Sequence, residues 1–173
     1  MAIKGLSYNK TIWAFEERPV SSAKLNQWDD RIEGALEAAF LLLNHAWGGG
    51  DGVLHGLGSG ELAVTATSPL SLRVSVGTGY AFIDSNLFRL KTTTQTPDIV
   101  PPLVQGRVDL VQANLATWSI SVKTGTEAAS PVAPSVDDGA IPLARLMLRP
   151  GMTSIKDTDD AVNGYIVDVR NFL

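Results

Sequence analysis

The stretch GGGDG at positions 48–52 separates two hydrophobic periods. Before it, apolar residues recur every three or four positions; after it, they alternate in short runs to the end of the 173 residues. The change predicts a mainly β chain with one long N-terminal helix, an extended N-terminal arm and an antiparallel β-sandwich body. The expected divisions are an arm over 1–20, a helix over 21–47, a glycine-rich joint over 48–60 and the β domain over 61–173.

Working back from the glycines, Ser21 or Ser22 can accept an orphan N–H at a helix start. A helix from there to Trp47 would be about 37 Å long. Leu25, Trp28, Ile32, Ala35, Ala39, Leu42 and Ala46 step by three and four, the spacing of a self-associating seam. Leu36, Phe40, Leu43 and Trp47 form a second stripe, making the apolar face broad. The same stripes also suit packing on the chain's own sheet. The helix is expected to be too charged to span a membrane. Ile12, Trp13 and Phe15, in the arm, are expected anchors for docking into a neighbour, or for folding back on the same domain.

Working forward, segments 61–67, 71–76, 79–83, 87–91, 107–115, 117–123, 141–148 and 164–170 read as strands separated by turn residues. Pro142 marks a strand start or an edge. Two proline-rich loops, 92–106 and 125–139, are long for a compact domain, which suits interfaces. Their prolines lower the entropy lost on ordering.

Composition bounds the function. The net charge is −4 and there are no cysteines. Basic residues are scattered, so nucleic-acid binding is not expected. Disulfide scaffolds and thiol chemistry are excluded. The first residues lack a signal-peptide core, so synthesis in a cytoplasm is expected.

Candidate chemistry dissolves on inspection. The 48–52 run follows a helical pattern and lacks the Lys-Ser/Thr of a phosphate loop. His45 and His55 are the two histidines, and a polar pair outweighs a shared metal. Asp157, Asp159 and Asp160 do not keep calcium-loop spacing, because Ala161 and Arg170 fall where oxygen ligands are needed. Asp109 and Asp168, beside Arg107 and Arg170, read as structural ion pairs rather than a catalytic carboxylate pair. No catalytic, cofactor or metal residue is assigned, and the expectation is that the chain is not an enzyme.

Several segments resemble the β domain of tailed-bacteriophage baseplate and tail-fibre proteins. They are RVSVGTGYAFID at 73–84, RVDLV at 107–111, SISVKTG at 119–125, PVAP at 131–134, IPLARL at 141–146 and IVDVR at 166–170. WAFEERPVSSAKLN at 13–26 is similar to the start of such proteins. The resemblance implies a virion structural protein, commonly a homotrimer, acting as adaptor or attachment module with other tail or baseplate proteins. It would be located in the virion, and in host cytoplasm during assembly. Many relatives continue into a receptor-binding domain. None follows in these 173 residues, so a connector role is expected ahead of contact with a host receptor. A capsid decoration or head-fibre protein is the alternative. A carbohydrate-binding module using Tyr80, Phe82, Phe88 and Trp118 is a third reading, against the commoner core role of strand aromatics.

Overall fold

A computed structural model describes residues 50–55 and 60–173, with eight further positions between Ser22 and Leu43. The chain divides after Gly49, and the unit Gly50–Leu173 carries the fold described below.

The described residues of that unit form eleven short strands: β1 (Gly52–Val53), β2 (Val64–Ala66), β3 (Val74–Val76), β4 (Gly79–Ile83), β5 (Asn86–Leu90), β6 (Thr94–Gln95), β7 (Arg107–Asn114), β8 (Ser119–Lys123), β9 (Ala140–Leu148), β10 (Ile155–Lys156) and β11 (Gly164–Asp168). They form three sheets, ordered β1-β4-β5, β2-β3-β6 and β10-β11-β9-β7-β8. All pairs are antiparallel except β10 with β11.

Alternation explains the core. Val74 and Val76 of β3, Ala81 and Ile83 of β4, and Val111 and Ala113 of β7 meet Leu143, Leu146 and Leu148 of β9 in one buried cluster. A single apolar interior therefore draws on all three sheets. On β7, Arg107, Asp109, Val111 and Ala113 share the core-side face, and Val108, Leu110 and Gln112 share the opposite one.

The expected helix-plus-sandwich fold class is corrected. The described residues form only strands as continuous elements. No helix stands as an element among the described residues; of the stripe positions described, Leu25, Leu36 and Leu43 are exposed, and most of 21–47 lies outside the described residues. Periodicity alone does not fix a helix, since most helical stability in proteins comes from packing an apolar face. The clustered core is supplied by residues from Val53 to Ile155. The body is likewise three small sheets rather than two facing antiparallel ones.

Each of the eight expected strands overlaps an observed one. β1, β6 and β10 were not expected, because two residues carry no period. Pro142 is the third residue of β9, near the strand start and ahead of the segment 144–147 that pairs with β11. The register shifts there: Val111 faces Ala144, whereas Gln112 faces Pro142. This irregularity is where a strand tolerates a residue without an N–H.

Part of the expected glycine joint belongs to the β body. Val53 donates to the Asn171 carbonyl at 2.7 Å, and Leu173 donates back to the Val53 carbonyl at 3.0 Å. A Cβ on Gly52 would lie 2.8 Å from Leu173 Cγ and 2.9 Å from the Asn171 oxygen. Glycine is needed at position 52 for close strand approach.

Candidate functional site

The two proline-rich loops form one platform, assembled around a buried ion pair. Arg107 and Asp109 are two apart on β7 and therefore project from the same face. Arg107 Nε donates to Asp109 Oδ1 at 2.7 Å, and Nη2 donates to Oδ2 at 2.9 Å. The Asp109 side chain is 1% exposed. A buried charge pair needs its remaining polar atoms satisfied, and each loop supplies a partner. Arg107 Nη2 also donates to the Val100 carbonyl of the first loop at 2.7 Å. Gly125 N, opening the second loop, donates to Asp109 Oδ1 at 2.9 Å.

Gly125 is required by space. A Cβ there would fall 2.1 Å from the Val108 carbonyl oxygen, well inside contact distance. The main chain can approach β7 closely enough to reach Asp109 only without a side chain.

The first loop begins as an extra strand. β6 pairs with β3, then Thr96 N donates to the Val74 carbonyl and Ile99 N to the Leu72 carbonyl. Pro102 is buried, and the three residues after it turn their N–H groups toward one acceptor. Glu127 takes all three, from Leu103 at 2.9 Å, Val104 at 3.1 Å and Gln105 at 3.2 Å. These bonds hold the Glu127 carboxyl below its ordinary pKa, because they favour the charged form. Ala128 N donates to the Gly106 carbonyl, a second stitch between the loops.

The far end of the second loop is also fixed. Gln112 is fully buried. Its amide bonds Asp137 through both polar atoms, donating from Nε2 and accepting from the Asp137 N–H. Lys123 Nζ donates to Asp137 Oδ1 at 2.5 Å. Lys123 first and Gln112 next hold the Asp137 carboxyl below its ordinary pKa.

The pinned loops present apolar side chains outward. Val100 is 72% exposed, Leu103 85% and Val104 79%. Exposed valine and leucine on backbone tied by side-chain hydrogen bonds make a preformed apolar surface, the kind that marks interaction sites.

The other candidates are dispersed. Of the proposed seam, Leu25 is exposed and Ile32 and Ala39 are half-buried. Trp28, Ala35, Leu42 and Ala46 lie outside the described residues, as do Ile12, Trp13, Phe15 and His45. His55 Nδ1 is 3.1 Å from Glu61 Oε1, and its ring meets Phe172 edge-on. Asp168 pairs with Arg170, whose Nη1 reaches the Glu61 carbonyl at 2.7 Å. Asp109 and Asp168 thus serve separate ion pairs, as their flanking arginines suggest.

Asp157 accepts from Ala66 N, Asp159 from Arg149 and Ala161 N, and Asp160 from Lys156, Val162 N and Asn163. Asp159 and Asp160 brace their own turn while Asp157 ties it to β2, and the described residues hold no group of three or more metal-ligating side chains. The four aromatics do not form a sugar platform. Phe82 and Phe88 are buried, and Arg89 lies over Tyr80 at 5.2 Å. Trp118 is exposed and stacks on Phe88 with centroids 6.2 Å apart.

Sequence reasoning located both loops and the Arg107–Asp109 pair. It missed Glu127, Gln112 and Asp137 as fasteners, because their partners lie 14–25 residues away. The chain matches no protein-family model, no curated protein and no solved structure.

Proposed function

We propose that this chain is a non-enzymatic structural module of a phage tail or baseplate, assembling through its two-loop platform. The observation carrying this reading is the pair of long loops held open by a buried ion pair and the Glu127 latch, with Val100, Leu103 and Val104 turned to solvent. Ordering these loops before contact reduces the entropy lost when an interface forms. An assembly protein gains from that economy.

The segments from RVSVGTGYAFID to IVDVR support placing the module in a phage tail, and that resemblance implies three copies around one axis. A closed ring of heterologous contacts needs a patch and a complementary surface on the same chain. The platform supplies the patch. The third reading, carbohydrate binding, loses its basis with Phe82 and Phe88 in the interior.

The test is mass spectrometry with cross-linking on purified particles of a phage encoding this sequence. The chain is expected in the particle, at a copy number divisible by three, with cross-links from the segment 97–106 to a neighbouring subunit. Absence from the particle overturns the placement. Cross-links that avoid both loops overturn the platform.

A further inference from the structure

The face of the five-stranded sheet turned away from the core carries a second surface. Strand register sets a row there: Lys123 of β8, Leu110 of β7, Arg145 of β9 and Val167 of β11. Beside it lies a groove of about 430 Å³, open to solvent. Pro131, Val132 and Pro134 form one wall, and Leu110, Met147 and Val169 form the other. Val132 is 80% exposed. Arg145 is the charged residue lining this groove.

Arg145 differs from the other described arginines. Arg73, Arg107, Arg149 and Arg170 each pair with an aspartate, and Arg89 sits over Tyr80. Arg145 has no hydrogen bond, ion pair or ring partner among the described residues. Asp137 and Asp168 are engaged elsewhere, Asp137 with Lys123 and Gln112 and Asp168 with Arg170. An exposed guanidinium in an apolar, proline-walled groove is complementary to an anion carried on an apolar segment. Arginine is also among the residues that dominate binding energy in interfaces.

We propose that this groove binds an acidic side chain flanked by apolar residues on a partner polypeptide, with Arg145 pairing the carboxylate. Pro131 and Pro134 restrict the loop wall, so the groove keeps its width as the segment enters. Arg145 supplies a planar two-donor fork for the carboxylate. The groove is walled by the second loop, whereas the exposed Val100, Leu103 and Val104 of the platform lie on the first.

The experiment titrates two synthetic peptides, GSVLEVSG and GSVLQVSG, into the ¹⁵N-labelled full chain. Amide signals of Val132, Met147 and Val169 are expected to shift, with the glutamate peptide binding about tenfold more tightly, the scale of one charge-assisted contact. Arg145→Gln is exposed and is expected to leave the rest of the spectrum unchanged while binding both peptides equally. Val132→Ser, on the rim, is expected to weaken both peptides without changing their ratio. Absence of shifts at those amides at millimolar peptide, equal affinities in the wild type, or a preference that persists in Arg145→Gln would each overturn the proposal.

Discussion

Replacing Asp109 with alanine tests the buried pin beneath the loops. The substitution removes the acceptor of two Arg107 bonds, at 2.7 and 2.9 Å, and of one Gly125 bond at 2.9 Å. Arg107 would remain buried with an uncompensated charge, which costs about 3–5 kcal/mol. Gly125 N–H adds about 1 kcal/mol, the low end for a lost acceptor, because water can reach it in part. A loss of roughly 4–6 kcal/mol is a large share of the ~5–15 kcal/mol that stabilises a typical domain.

With a slope of ~2 kcal/mol per molar urea, the unfolding midpoint is expected to drop by about 2–3 M. Urea titration followed by tryptophan fluorescence and circular dichroism reads this directly. The double variant Arg107→Met/Asp109→Leu separates charge from shape. It removes both charges, so most of the loss should return. The Val100 carbonyl and Gly125 N–H stay unpaired, leaving the double variant about 1–3 kcal/mol below wild type. A single variant within about 1 kcal/mol of wild type, or a double variant no better than the single, would refute the reasoning.

Three further outcomes are expected. Gly125→Ala places a Cβ 2.1 Å from the Val108 oxygen, and the forced shift should cost at least about 1–3 kcal/mol in the same urea titration; a neutral result would mean the loop has another route past β7. Glu127 has its pKa lowered in the folded state by the N–H groups of Leu103, Val104 and Gln105, so its stabilisation is present above the ordinary value of 4.5 and fades as pH falls through the lower folded value. Those three amide signals should hold steady from pH 7 to 5 and move together below 4.5, whereas movement near neutrality would contradict the latch. Ala161 is exposed with φ of +64°, and relief of ~1–2 kcal/mol of left-handed strain outweighs the ~0.4–1 kcal/mol entropy cost of glycine, so Ala161→Gly should raise the urea-derived stability by about 0.5–1 kcal/mol.

Legibility in the sequence followed the range of the interaction. Strands such as 79–83 and 107–115 stood out because alternation and turns are local. The turn at Asp84 and Ser85, both with positive φ, was marked by its residue types. The Arg107–Asp109 pair was legible because a spacing of two puts both on one strand face. Glu127 was silent: its three partners lie 22–24 residues upstream, and a glutamate in a loop has no pattern of its own. β6 and β10 were hidden by their two-residue length, since their pairing depends on neighbours distant in sequence. The stripe from Leu25 to Ala46 shows the opposite case. Its period was strong, yet period describes which residues share a face and does not establish a continuous element. Arg145 was unremarkable within IPLARL; its significance comes from a register that leaves it without a carboxylate.

The central claim is that Val100, Leu103 and Val104 form an assembly surface held ready by the pinned loops. Light scattering of the purified full chain beside Leu103→Glu/Val104→Glu tests it most directly. The wild type is expected at three times the single-chain mass of 18.4 kDa, and the variant at the single-chain mass with an unchanged urea midpoint. A wild-type monomer at micromolar concentration, or a variant that assembles as the wild type does, would contradict it.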